Sequence, residues 1–352
     1  MTQGEMPPRS TRSRPTMREV AALAGVAIKT VSRVFNGVPT VDPAIVARVR
    51  EAADQLGYRP NLTASSLRRG DGRTATIGMI VEDAANPFSA ALTRTVENVA
   101  RERGVLVLVG SVDENPSRER ELAQALVDRR VDGLVIVPAG RDQSYLITEQ
   151  RSGTCMVFVD REANLLDADA VVSNNRQGAV TAVNHLITGG HRRIAYLGDR
   201  VSIPTAARRF EGYRHALEVA HIPYDEEIVH QVPAGEKAAV AATERLLELP
   251  DPPTALFTSQ NLVTIGALRA LRDLGLQNTV AQVGFDDFPL ADILSPGISV
   301  IAQDVEAMGR AAAEMLFQRL DGDESPTRTV TVPTRLIERG SGEIAAEGPR
   351  HD

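Results

Sequence analysis

At 352 residues the chain exceeds one ordinary domain and suits a small domain plus one or two medium ones; its 43% hydrophobic content supports a packed core and excludes wholesale disorder. The formal net charge of −7 is uneven: residues 1–75 hold 12 Arg and Lys against 6 acids, leaving 27 bases and 40 acids to the rest. A basic head on an acidic body is the charge pattern of an electrostatic docking module joined to a soluble sensor.

A single cysteine, Cys155 in the apolar run Thr154 to Val159, excludes an intrachain disulfide and reads as a buried thiol in a reducing cytoplasm. The first residues carry Pro7, Pro8, Arg9, Arg12, Arg14 and Pro15 without the apolar core of a signal peptide. No later stretch approaches the roughly 18 uncharged apolar residues of a membrane span, so the reading is a soluble protein that stays in the cell, with no membrane partner. Residues 1–16 read as a disordered basic arm.

Residues 17–24 form a short helix pattern with Val20, Leu23 and Ala24 at helical spacing, ended by Gly25. The next segment, 28–36, divides into two faces at 3.6 residues per turn. Val31, Val34 and Phe35 share the apolar side, and Ile28, Lys29, Ser32, Arg33 and Asn36 the other. A third helix is predicted over about 43–57, with Asp42 as N-cap, Pro43 in the first turn, an apolar stripe through Val49 and Ala53, and Gly57 at its close. Two short helices about a glycine turn, the second with a polar outer face, form the geometry that lays a helix in the DNA major groove.

The run Met17-Arg18-Glu19-Val20-Ala21, then Ala24-Gly25-Val26, Thr30 to Val34, Asn36 and Leu56-Gly57-Tyr58-Arg59-Pro60-Asn61 resembles the lactose-repressor/galactose-repressor (LacI) family of bacterial regulators, and the likeness runs to about residue 340. It implies that Ile28, Lys29 and Arg33 read base edges. Lys29 and Arg33 suit guanine O6 and N7, and Ile28 a thymine methyl. Thr30, Ser32 and Asn36 suit phosphate positioning. The family usually has Ser or Thr where this chain has Ala27, so the second helix lacks an N-cap worth about 1 kcal/mol.

Residues 61–74 read as a hinge. Asn61 could cap a helix of about two turns, too short to stand alone. In the family this segment folds on DNA and inserts a leucine wedge in the minor groove, which Leu67 matches, although the family commonly has an arginine close to Ser65 or Ser66.

From residue 75 seven apolar runs of strand length (76–81, 105–109, 133–137, 155–159, 194–197, 255–258 and 280–285) alternate with helical patterns. This predicts α/β architecture with parallel sheets covered on both faces and ligand sites at the carboxyl ends of the strands. Polar loops stand at those ends: Asn86-Pro87-Phe88, Asp160-Arg161, Asn174-Asn175, Gln260-Asn261 and Asp286-Asp287, with Arg209 in the run 209–213.

The resemblance implies the two-lobed fold of periplasmic sugar-binding proteins behind a small all-α helix-turn-helix head (17–60). It implies an effector pocket between lobes: Phe88 stacks on a ring, Arg209 grips an anionic or hydroxyl group, Asp160, Asn261 and Asp286 accept hydrogen bonds, and Arg161 joins the same group. The family's Asn-Asp pair is here Gln260-Asn261, one charge fewer.

Three crossings are expected, with 75–173 and 304–331 in lobe one, 174–303 and 332–340 in lobe two, and a loose tail over 341–352. The implied partners are operator DNA, a sugar-like effector and a second copy, as a homodimer or tetramer. The rivals fit less well. A solute-binding protein has no use for residues 17–69, and the chain lacks G-x-S-x-G and G-x-G-x-x-G motifs and a complete phosphate loop, so no catalytic residues, cofactor or metal are expected. The six histidines lack metal spacing and read as helix-surface residues.

Overall fold

Head and body are separate units divided between Thr74 and Ala75, in a computed structural model that describes residues 15–35, 37–59, 73–232 and 235–346. Most of the basic arm, Asn36, Asn61, Leu67 with the rest of 60–72, and residues 347–352 lie outside the described residues.

The head contains α1 (Met17–Ala24), α2 (Ile28–Phe35) and α3 (Pro43–Leu56). The first begins on a reciprocal cap: Thr16 N donates to Glu19 Oε2 at 2.6 Å and Glu19 N to Thr16 Oγ1 at 3.4 Å. Asp42 caps α3 by accepting from Ala44 N at 2.7 Å. Gly25 and Gly57 end α1 and α3 in the left-handed region, at φ 64° and 65°, which a side chain would strain. Val20, Ala21 and Ala24 of α1 meet Val31 and Val34 of α2 and Val49 of α3 in one core. Leu23, expected inside, is 51% exposed. The buried arc of α1 runs through positions 20, 21 and 24, so Ala21 takes its place.

In the body, lobe one is built on β1 (Thr76–Val81), β2 (Leu106–Ser111), β3 (Gly133–Ile136), β4 (Cys155–Val159), β5 (Asp169–Ser173) and β11 (Thr329–Val332), ordered β11-β5-β4-β3-β1-β2 and wholly parallel. Lobe two repeats the order as β12-β10-β9-β8-β6-β7, from β6 (Ile194–Gly198), β7 (Val229–Gln231), β8 (Ala255–Thr258), β9 (Ala281–Phe285), β10 (Ser299–Gln303) and β12 (Thr334–Ile337). Here the all-parallel expectation fails, because β12 runs antiparallel to β10. It follows β11 after one residue and enters the other sheet, with no crossover to bring it round parallel.

Helices cover both faces. In lobe one α4 (Pro87–Glu102) and α11 (Val305–Leu320) pack through Leu92, Val96, Met308 and Leu316, while α5 (Pro116–Asp128), followed by the short α6 (Ile147–Arg151), lies on a second cluster with Ala123 and Leu126. In lobe two α7 (Asn175–Thr188) and α8 (Pro204–Val219) take one face, α9 (Glu236–Leu247) and α10 (Asn261–Asp273) the other. The chain passes between sheets after β5, after β10 and between β11 and β12. No helix among the described residues is long and apolar enough to cross a membrane.

Two expectations need correction. The tail is held as far as residue 346: Ser341 Oγ donates to the Gln282 carbonyl at 2.6 Å, and Ala346 N to the Gly189 carbonyl at 3.0 Å. His191 is wholly buried, its ring nitrogens meeting Thr254 Oγ1 at 2.9 Å and the Ile344 carbonyl at 2.8 Å. Burial lowers its pKa, so the ring stays neutral and ties the tail to lobe two.

Candidate functional site

On the head, α2 turns Val31 and Val34 inward and leaves Ile28 (45% exposed), Lys29 and Arg33 outward, with Thr30 and Ser32 half-buried at the margin. Arg33 Nη2 donates to Thr40 Oγ1 at 2.7 Å, which holds the guanidinium along the loop after α2. Arg48 of α3 donates to the Ala24 carbonyl at 2.8 Å and closes the end of α1. The result is a rigidly backed helix offering two cations and one apolar side chain, the set that suits base edges and phosphates in a major groove. Asn36, Asn61 and Leu67 cannot be located on this face, since they lie outside the described residues.

In the body, Phe88, Asp160, Arg161, Arg209, Asn261 and Asp286 line one cleft between the carboxyl ends of the two sheets. The repeated strand order explains the carboxylates. Asp160 follows β4 and Asp286 follows the corresponding β9, and both stand in the left-handed region at φ 68° and 69°. That conformation costs about 1 kcal/mol, is tolerated best by Asp and Asn outside glycine, and turns the chain sharply at the strand end. Glu82 after β1 and Asp199 after β6 form the second corresponding pair. The sequence reading passed over both, although the strand-end rule that found Asp160 applies to them equally.

Lobe two binds its own polar groups closely. Arg209, 5% exposed on α8, donates to Asn175 Oδ1 and the Ser259 carbonyl at 2.7 Å and to Asp286 Oδ2 at 3.1 Å, and lies 3.8 Å over the Phe285 ring. Gln303 Nε2 donates to the other Asp286 oxygen at 2.6 Å. Gln260 caps α10 through Leu262 N and turns its amide to Asp199 at 3.3 Å. Across the cleft Asn86 and Asn261 exchange amide hydrogen bonds of 3.3 and 2.9 Å.

Arg161, expected among the ligand contacts, lines the cleft but is engaged by its own lobe. Its terminal nitrogens donate to Glu114 and the Pro138 carbonyl, leaving Nε buried without a hydrogen bond, 3.3 Å from Asp160 Oδ2. Burial pushes the Glu82 carboxyl up to about 7, helped by the charges of Glu114, Asp199 and Asp160 and opposed by Arg161. Burial likewise raises Asp160 and Asp199. The inner cleft is thus rich in acceptors and hostile to an added anion, and is bordered by one aromatic face, Phe88.

Comparison with known proteins agrees for both units. Residues 16–61 match the family of bacterial regulatory proteins, lacI family, and residues 183–342 a periplasmic binding protein-like domain. The HTH-type transcriptional regulator PtxS of Pseudomonas aeruginosa is 35% identical over 341 residues, 94% of this chain and 96% of that protein. The HTH-type transcriptional repressor CytR of Escherichia coli is 30% identical over 328 residues, covering 93% and 96%. Among solved structures, a complex of the transcriptional regulator CelR with cellobiose aligns at TM-score 0.69 and 32% identity over 93% of this chain and 100% of that one. A lac repressor dimer bound to operator aligns at TM-score 0.80 and 24% identity, covering 94% and 99%, and supports the fold. With a helix-turn-helix head, a two-lobed body and relatives of this identity along nearly its whole length, the chain belongs to the lacI family of bacterial regulatory proteins, as a DNA-binding transcription regulator and not an enzyme.

Proposed function

We propose that this chain is a cytoplasmic, nucleoid-associated repressor that binds a near-palindromic operator as a homodimer, one α2 per half-site, and is controlled by a small sugar-like effector in the cleft between its lobes. The observation that carries the DNA half is the division of α2: Ile28, Lys29 and Arg33 face outward from a helix whose other side is locked by Val31 and Val34. The acceptor-rich cleft supports the effector half, since carboxylates and amides at strand ends suit hydroxyl donors. A relative of known structure holds cellobiose, and another is named a transcriptional repressor.

Effector binding changes the lobe angle and with it the spacing of the two heads, provided the effector binds one state more tightly than the other. Selection from random duplexes followed by gel-shift titration across salt tests the DNA half. Arg33→Ala and Lys29→Ala each weaken the selected operator about tenfold or more and relax a single base position. Leu67→Ala reduces bending and specific affinity while sparing non-specific binding. A selection that enriches no sequence defeats the reading.

A further inference from the structure

The two outward cations of α2 are held differently. Lys29, on the first turn, is exposed and has no side-chain partner among the described residues. Arg33, one turn on, is tethered: its Nη2 donates to Thr40 Oγ1 at 2.7 Å.

Thr40 is exposed, yet the backbone that carries it is fixed on both sides. The end of α2 is closed by two hydrogen bonds, Val38 N to the Arg33 carbonyl at 3.0 Å and Gly37 N to the Val34 carbonyl at 3.1 Å, with Gly37 in the left-handed region at φ 66°. Val41 N then donates to the Val38 carbonyl at 3.3 Å, the Val41 side chain packs on the head core, and Asp42 caps α3. The loop 37–41 therefore grips Arg33 twice, by its carbonyl and by its guanidinium.

A guanidinium carries its five N–H donors in a rigid fork with two bidentate edges, one shared by Nε and Nη2 and the other by Nη1 and Nη2. Each edge uses a different hydrogen of Nη2, so the bond to Thr40 takes up one edge and leaves the other for the O6 and N7 pair of a guanine. An untethered arginine samples many rotamers that binding must restrict, and it swings to a phosphate or a neighbouring base where the expected guanine is missing. The tether limits both. Specificity is a difference between right and wrong partners, so a restraint that penalises the alternatives sharpens readout even where it adds little affinity.

We propose that Thr40 is a positioning residue for base readout: its hydroxyl holds the Arg33 guanidinium with one bidentate edge outward and so sets how strictly a guanine is demanded in each half-site. This rests on the DNA reading above and adds to it a residue outside α2 that acts through Arg33. Lys29, without a tether, reads its own base pair with more tolerance.

Selection from random duplexes with the full-length protein, followed by gel-shift titration, tests it. The base pair that Arg33→Ala relaxes is replaced in one half-site of the selected operator, which costs the parent about tenfold or more in affinity. Thr40→Val keeps the shape and removes the acceptor; it cuts that discrimination by about threefold or more, the worth of one hydrogen bond, and leaves discrimination at the Lys29 base pair within about twofold. The slope of affinity against salt stays as in the parent, because no cation has been lost. Thr40→Ser retains the hydroxyl and restores the parent's discrimination. On an Arg33→Ala background Thr40→Val changes binding by less than about twofold, since nothing is left to position. Should Thr40→Val lower the melting temperature, Thr40→Ala takes its place. The proposal is overturned if Thr40→Val weakens every duplex alike, as loss of a plain phosphate contact would, if its effect persists in full without Arg33, or if Thr40→Ser behaves like Thr40→Val. A selection that enriches no sequence, or an Arg33→Ala variant that relaxes no base pair, overturns the DNA reading itself and leaves Thr40 nothing to position.

Discussion

The two lobes share one strand order, yet they treat their strand-end carboxylates in opposite ways. In lobe two Asp286 is bonded on both oxygens, by Arg209 and by Gln303, and Asp199 receives the Gln260 amide. In lobe one neither Asp160 nor Glu82 takes a side-chain hydrogen bond among the described residues; Asp160 is only ion-paired with Arg161 Nε at 3.3 Å, while the terminal nitrogens of that arginine are held by Glu114 and the Pro138 carbonyl. Lobe two thus holds both its strand-end carboxylates in side-chain hydrogen bonds that a ligand must break, although Gln303 Oε1 beside them is buried without a partner, whereas the two carboxylates of lobe one take none among the described residues. A two-lobed sensor gains from that asymmetry: one side stays rigid, and carboxylates without hydrogen bonds on the other give a ligand differential affinity for the closed state.

Removing Arg209 gives the largest effect. Arg209→Ala leaves Asp286 buried beside one amide and strands Asn175, so denaturant unfolding of the body loses about 3–5 kcal/mol. A loss below about 1 kcal/mol would mean that Arg209 does not hold the lobe-two carboxylate network together. The paired aspartates come next. Asp286→Asn breaks a charge-assisted bond and costs about 2 kcal/mol. Asp160→Asn removes a buried carboxylate that takes no hydrogen bond and only ion-pairs Arg161 Nε at 3.3 Å, keeps a residue that accepts the left-handed backbone, and costs less than Asp286→Asn, under about 1 kcal/mol. Equal losses at the two positions would erase the distinction between lobes.

Much of this was readable from residue order. The division of α2 followed from helical spacing, because apolar residues three and four apart have one side to occupy. Asp160, Asp286 and Asn261 followed from polar residues at the ends of wholly apolar strands. Leu23 was misassigned because spacing identifies an arc and not its centre. β5 and β10 went unread because they carry Asp169, Ser173, Ser299 and Gln303 among their apolar residues. The order around residues 341–346 was invisible to composition, since main-chain groups and buried Ser341 and His191 create it. Glu82 and Asp199 were legible by the same strand-end rule, and aligning one half of the body on the other turns these two ordinary loop acids into a matched pair.

That pair gives the smallest and most specific test. Glu82 of lobe one and Asp199 of lobe two face the same inner cleft with Glu114, Asp160 and Arg161 around them. With its carboxyl near 7 in the folded protein and near its ordinary value of 4.5 when unfolded, Glu82 holds a proton in the native state that the unfolded chain has lost. Its contribution to stability is fully present below about pH 4.5, declines as pH rises, and is gone above about pH 7. Asp160 and Asp199, raised by the same burial, act in the same direction. The urea midpoint of the body should fall between pH 5 and pH 8, with Glu82 supplying under about 1 kcal/mol per pH unit after allowance for partial exposure. Glu82→Gln flattens that slope by mimicking the protonated group, and leaves the midpoint at pH 5 near the parent. A slope as steep in Glu82→Gln as in the parent would move the titration to the aspartates, and an increase of stability with pH would mean that the cleft carboxylates are better solvated folded than unfolded.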